Sequence, residues 1–252
     1  MNHIIITGHS KGLGAGIALE MIDENHHIHG IARTDNTDIQ KLAAAKGCGF
    51  NFYPCDLGHT DQISAIMQLV FANITRTDNI EGIYLINNAG MIHPIGPVPT
   101  LENADIDLHL RVNLLAPMLI IKDFITHSSS IKATKRVINI SSGAATSPYH
   151  GWSSYCTSKA GLDMFTRCCA TEQEGEKYPI EFMAVAPGII DTDMQTTIRG
   201  TTDEQFIHRK KFVELKETGQ LVSPALAGKK LKELLFSSDF KNGEITDIRH
   251  LY

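Results

Sequence analysis

Seven short apolar runs alternate along this 252-residue chain with longer segments of helical spacing, and no other feature constrains the fold as much. The runs cover residues 3–7, 28–32, 50–53, 82–86, 136–140, 181–186 and 244–247. Within several of them the apolar residues are continuous rather than alternating, as in strands buried on both faces. Helical spacing occupies residues 14–25, 61–73, 102–127, 154–174 and 224–237. Alternation repeated this often predicts an α/β, Rossmann-type doubly wound fold, with about seven parallel strands and helices on both faces. No repeat or low-complexity linker divides the chain, so residues 1–252 read as a single domain. The polar stretch 191–222 interrupts the rhythm and reads either as a substrate lid or as a helical surface insertion.

Charge narrows the function classes. A formal net charge of −5 leaves no basic excess to neutralise phosphates, which argues against nucleic acid as a partner. The one dense basic stretch, Arg209-Lys210-Lys211, is too short to change this. The five cysteines (Cys48, Cys55, Cys156, Cys168 and Cys169) form neither a CxxC pair nor an even-numbered framework, so reduced thiols are expected. The apolar run at Ile4-Ile5-Ile6 is far shorter than a signal-peptide core, and nowhere do 18 apolar residues run together. A cytoplasmic protein with no membrane partner is expected. Of the twelve histidines, His26, His27 and His29 invite a metal reading. Adjacent side chains point apart and no acidic or Cys ligand is spaced to join them, so a histidine-rich turn between helix and strand is the preferred reading, without metal.

The first run leads directly into Thr7-Gly8-His9-Ser10-Lys11-Gly12-Leu13-Gly14 and then a helical pattern. Glycines at this junction permit a tight turn and let backbone amides approach a pyrophosphate at a helix N-terminus, where the dipole favours negative charge. After the second run, the position where an NAD site carries an acid falls on Ala32, and Arg33 and Thr34 follow. Arg33 and Lys11 supply two positive charges suited to a 2′-phosphate, so NADP(H) is the expected cofactor. Asn87-Asn88-Ala89-Gly90 follows the fourth run and Ser141-Ser142 the fifth. Tyr155 and Lys159 are four apart in a helical segment, hence on one face. An ammonium there can lower the Tyr pKa and make it a usable acid.

These residues, together with Asn113 and Pro187-Gly188, resemble in type and order the short-chain dehydrogenase/reductase family over essentially the whole chain. Ser142-Gly143-Ala144-Ala145, Gly151-Trp152-Ser153, the stretch from Lys159 to Phe165, Asp191-Thr192-Asp193-Met194-Gln195 and Glu217-Thr218-Gly219 are similar to one subgroup, the benzil reductases that form (S)-benzoin, themselves similar to sepiapterin reductases.

The resemblance implies NADPH-dependent hydride transfer to a small-molecule ketone, as in a 1,2-dicarbonyl such as benzil. Tyr155 would donate the proton, with Lys159 lowering its pKa and holding the nicotinamide ribose. Ser142 would orient the carbonyl, and Asn113 would hold a relay water. Read from the residues alone, Asn113 is a helix-kink residue or a buried polar group satisfied by backbone. Ile6, Gly8, Ser10, Lys11, Gly12, Leu13 and Gly14 would contact or cradle the cofactor phosphates. Asp56-Leu57 would meet the adenine, and Asn88, Ala89 and Gly90 its ribose side. Pro187-Gly188, Ile190 and Thr192 would fold over the nicotinamide. Trp152, the only Trp, reads as an apolar substrate wall or a packed core residue, with Met91, His93, Tyr149 and Met194 as weaker lining candidates. Asp247 falls near the pterin-anchoring acid of sepiapterin reductases, although a carboxylate capping a strand-end turn is the preferred reading. A pterin ketone and a non-enzymatic NADPH sensor remain the alternatives. The two long helical segments, 102–127 and 154–174, correspond to those that pair relatives across a twofold axis, so a homodimer or homotetramer is expected.

Overall fold

Ile- and Val-rich runs form the centre of one sheet because both of its faces are covered. The computed structural model describes residues 1–251. Among them, strands β1 (Asn2–Thr7), β2 (His26–Ala32), β3 (Gly49–Pro54), β4 (Gly82–Asn87), β5 (Thr134–Ile140), β6 (Glu181–Ala186) and β7 (Ile245–Asp247) lie parallel in the order β3-β2-β1-β4-β5-β6-β7. In register, Ile4 of β1 sits between Ile28 of β2 and Tyr84 of β4. The chain winds outward from β1 to β3 and then returns to β4. The loops leaving β1 and β4 therefore depart in opposite directions, opening a crevice at the strands' carboxyl ends.

The two faces separate by residue parity. Ile4, Ile6, Ile28, Ile86, Ile138 and Val185 face helices α1 (Gly12–Glu20), α2 (Thr37–Ala45) and α9 (Pro224–Leu235). Ile5, Ile31, Leu85, Val137 and Phe182 face α3 (Ile63–Ile74), α5 (Ala116–Ser128) and α6 (Ser153–Glu172). At α1/α9 the backbones touch: a Cβ built on Gly228 would lie 2.5 Å from the Gly16 carbonyl oxygen, so only glycine fits there.

Three elements differ from the sequence reading. The segment 102–127 is helical but not uniformly so: α4 (Asn103–Leu110) passes through a π-turn, Arg111–Leu115, before α5 begins. The histidines at 26, 27 and 29 lie within β2 rather than in a turn, and each ring finds a polar partner there. His26 Nδ1 contacts the Met21 carbonyl at 2.8 Å, and His29 lies 3.1 Å from His3 and 3.2 Å from the Tyr53 hydroxyl. Helix α2 is an element the periodicity did not show, whereas the stretch 191–222, for which a helical insertion is one of the two readings, holds α7 (Asp193–Arg199) and α8 (Arg209–Glu217). No helix among the described residues is long and apolar enough to cross a membrane.

Candidate active site

A cavity of about 670 Å³ runs along the carboxyl ends of all seven strands. Every inter-strand turn singled out in the sequence contributes to its wall: Gly8, Ser10, Lys11, Gly12, Leu13 and Gly14 after β1, Arg33 and Thr34 after β2, and Asp56 and Leu57 after β3. Asn88, Ala89 and Gly90 follow β4, Ser142 follows β5, and Gly188, Ile190, Thr192 and Met194 follow β6. Trp152, Tyr155, Lys159 and Asp247 are the remaining predicted residues that line it.

The glycine turn is built for close approach. A Cβ on Gly14 would sit 2.0 Å from the Gly8 carbonyl oxygen, so the turn closes only on glycine. Thr7, buried at the end of β1, holds the turn to the next loop: its Oγ1 accepts from the Asn88 and Ala89 amides, both at 3.0 Å. Asn88 returns the tie, donating from Nδ2 to Thr7 O at 3.0 Å and Gly8 O at 3.3 Å. Its amide thus braces the turn instead of facing a ribose. Asn36 Nδ2 donates to Ser10 O at 2.8 Å, fixing the Arg33–Thr34 loop beside the turn. The Asp35 carboxylate accepts from Asn36 N and from Gln40 Nε2, each at 2.7 Å. These braces went unread because each depends on a partner distant in sequence or in a helix the periodicity missed. An elongated wall of backbone amides with cations at one end fits a dinucleotide.

Three predicted residues do not line the cavity. Ile6 is fully buried in the apolar layer of the sheet, since its position on β1 points it towards α1 and α9. Pro187 sets the turn that presents Gly188 but stays outside the wall. Asn113 is fully buried behind Gly90, and its amide is spent on neighbours. Its Oδ1 accepts from Met91 N at 2.8 Å, and its Nδ2 donates to Met91 O at 2.7 Å. It lies in the π-turn, so it is both the kink residue and the backbone-satisfied polar group that the residues alone suggested.

Tyr155 and Lys159 sit one turn apart on the buried face of α6, 8% and 5% exposed. Lys159 Nζ donates to the Ile140 carbonyl at 2.8 Å, at the end of β5, and lies over the Tyr155 ring, 5.8 Å from its centroid. Burial pushes the Lys159 pKa down to about 8, against the opposing charge of Asp163 one turn further along α6. Burial raises the Tyr155 phenol, and the Ser142 hydroxyl pulls it down.

Beyond Tyr155 the cavity wall turns aromatic. Trp152 is both wall and core: it lines the cavity, stacks on Phe206 at 4.5 Å and 10°, and meets Tyr155, Phe212 and Tyr149. Phe206 and Phe212 come from the 191–222 stretch, which packs its few apolar residues against Trp152. Met91, His93, Tyr149 and Met194 also line the cavity. Asp247 caps its strand end, accepting from Arg249 N at 2.9 Å, and forms a bidentate pair with the Arg249 guanidinium at 2.8 and 2.7 Å. Arg249 itself went unread, lying beyond the last predicted strand.

Residues 2–203 match the family described as short chain dehydrogenase. The chain is 40% identical over 248 residues to a benzil reductase ((S)-benzoin forming) of Bacillus cereus, covering 98% of this chain and 99% of that protein. It is 27% identical to sepiapterin reductase of Meriones unguiculatus, covering 96% and 93%. Among solved structures, the KRED1-Pglu enzyme superposes with a TM-score of 0.82 at 26% identity, covering 97% of this chain and 100% of that one.

Proposed function

The chain belongs to the short-chain dehydrogenase family, a nicotinamide-dependent oxidoreductase similar to carbonyl reductases, and from that premise we propose that it reduces a 1,2-dicarbonyl such as benzil to (S)-benzoin with NADPH. The observation that carries this reading is the continuity of one cavity from the cationic glycine turn, past Tyr155, to the aromatic wall around Trp152. NADPH is favoured over NADH because Lys11 and Arg33 line the end nearest β2, while Ala32 offers no carboxylate and that of Asp35 is engaged by Asn36 and Gln40.

When bound, the reduced nicotinamide supplies the hydride. Gly8, Ser10, Lys11, Gly12, Leu13 and Gly14 would hold the pyrophosphate, Asp56 and Leu57 the adenine, and Gly188, Ile190 and Thr192 the nicotinamide end. Tyr155 donates its phenolic proton to the carbonyl oxygen. A raised pKa keeps that proton in place at neutral pH, and Ser142 orients the acceptor. Lys159, still largely protonated at pH 7, keeps a positive charge beside the Tyr155 ring. Asn113 acts from behind the wall, and any relay water would rest on its backbone, since its amide is occupied. The helices of 191–222 serve as the lid over the aromatic pocket, with the exposed Lys11–Asp193 pair, 3.2 Å, spanning the cleft. A cytoplasmic homodimer or homotetramer built on α5 and α6 is part of the proposal, supported by exposed Leu115 beside α5 and Met164 on α6.

A pterin substrate is less well supported, because an anchoring role for Asp247 competes with its bidentate Arg249 partner. Benzil and sepiapterin assayed in parallel with NADPH and NADH test the reading. Preferential NADPH-dependent turnover of benzil, with (S)-benzoin resolved on a chiral column, is expected; preference for sepiapterin or for NADH would contradict it.

A further inference from the structure

We propose that His109 is a positioning residue of this active site, a neutral imidazole protonated at Nδ1 that ties the 91–93 wall of the cavity to Asn113 and to the Tyr155/Lys159 helix. The inference deepens the carbonyl-reductase reading and rests on it for its kinetic consequence, though not for its geometry.

His109 is fully buried in the last turn of α4. Its Nδ1 lies 2.8 Å from the carbonyl oxygen of His93, a cavity-lining residue. A carbonyl only accepts, so the proton resides on Nδ1 and leaves Nε2 as an acceptor. Nε2 is 3.0 Å from Asn113 Nδ2 and 3.1 Å from Ser158 Oγ. One hydrogen of Asn113 Nδ2 is committed to Met91 O, so the other reaches His109, while Oδ1 takes the Met91 amide. The His93 and Asn113 bonds agree only when Nε2 is unprotonated, since a proton there would meet the Asn113 donor head-on; the single Ser158 hydroxyl proton is shared between Nε2 and Tyr155 O. Burial and the nearby Lys159 charge both disfavour the imidazolium, against the His93 carbonyl.

The ring thus bears on four parts of the site. It holds the backbone of His93 at the cavity mouth and, through Asn113, clamps both backbone groups of Met91. Through Ser158, whose hydroxyl is also 2.9 Å from Tyr155 O, it reaches the catalytic helix. Its edge packs T-shaped against the Tyr155 ring, with centroids 6.1 Å apart. Loss of these ties would let Tyr155 and the substrate wall move independently, a change felt in the reacting geometry more than in cofactor affinity.

The test uses His109→Phe, His109→Gln and His109→Asn beside wild type. Gln reaches the place of Nε2 and can accept there; Asn reaches only the place of Nδ1. With benzil and NADPH, kcat is expected to fall at least tenfold in His109→Phe and His109→Asn, with KM for NADPH within twofold of wild type, and to recover to within about threefold in His109→Gln. Should the Phe variant not fold, the Gln and Asn pair carries the comparison. Independently of turnover, ¹⁵N NMR of the histidine rings, with His109 assigned by subtraction of the Gln variant, should show a neutral Nδ1–H tautomer at pH 7. A kcat unchanged in all three variants, or a ring carrying a proton on Nε2, would overturn the proposal. If wild type turned over no ketone, the functional reading would fail and the tautomer alone would decide the inference.

Discussion

At the scale of single residues, the site rests as much on braces as on the groups that meet ligand. Ser142, Tyr155, Lys159 and the glycine turn are legible in the sequence because their chemistry shows in residue type and spacing. Thr7, Asn36 and His109 are not, since a threonine at a strand end or a histidine in a helix gains meaning only from partners in other elements. Thr7→Val keeps the shape but leaves the Asn88 and Ala89 amides without their acceptor. Urea unfolding is expected to show a loss of about 1–3 kcal/mol at unchanged m-value; no loss would mean the brace is redundant. Lys159 gives a second prediction. With its pKa lowered to about 8, it loses its proton as pH rises through that value, so kcat/KM for reduction should decline on the alkaline side. Because Asp163 raises that pKa, Asp163→Asn should move the decline to lower pH, and an unmoved profile would contradict the assignment.

Among the elements, the strands were the most readable, since both faces are buried and continuous apolar runs have no other explanation. The helices of 191–222 were obscure because their apolar residues are few and find each other only against Trp152. Helix α2 is short and Ala-rich, and its N-cap Asn36, which accepts from Ile39 N at 3.2 Å, is the one local signal that could have marked it. The interruption of 102–127 by a π-turn could not be read from periodicity, which continues across it. Phe206, fully buried and stacked on Trp152, is the anchor of the 191–222 elements proposed as a lid. Phe206→Ala is expected to cost about 3–5 kcal/mol in chemical denaturation. It should also raise KM for benzil more than KM for NADPH, and equal effects on both would separate the lid from the substrate.

For the whole molecule, stability carries a histidine signature. His3 and His29 are buried together on the sheet; burial, with repulsion from His27 and the N-terminal ammonium, holds the His3 pKa down to about 4, and burial, with repulsion from His27 and His3, holds that of His29 well below its ordinary value. The unfolded chain binds these protons near pH 6.5 and the folded one does not, so stability is full above that pH and falls as pH drops towards 4. For His3 alone the loss amounts to about 3 kcal/mol. Thermal unfolding should show Tm declining between pH 6.5 and 4, and His3→Gln, which does not titrate, should flatten the decline; an identical slope in the variant would exclude His3 as its source. Such a cluster stands apart from the cavity, so acid lability and catalysis are separable properties of this fold.

The central claim is that one cavity brings a carbonyl to Tyr155 beside a bound nicotinamide, and benzil-dependent oxidation of NADPH by wild type and Tyr155→Phe tests it most directly. Turnover by wild type, at least 100-fold slower in Tyr155→Phe while NADPH fluorescence still reports binding, is the predicted result. An undiminished rate in the variant, or no oxidation by wild type with NADPH bound, would contradict it.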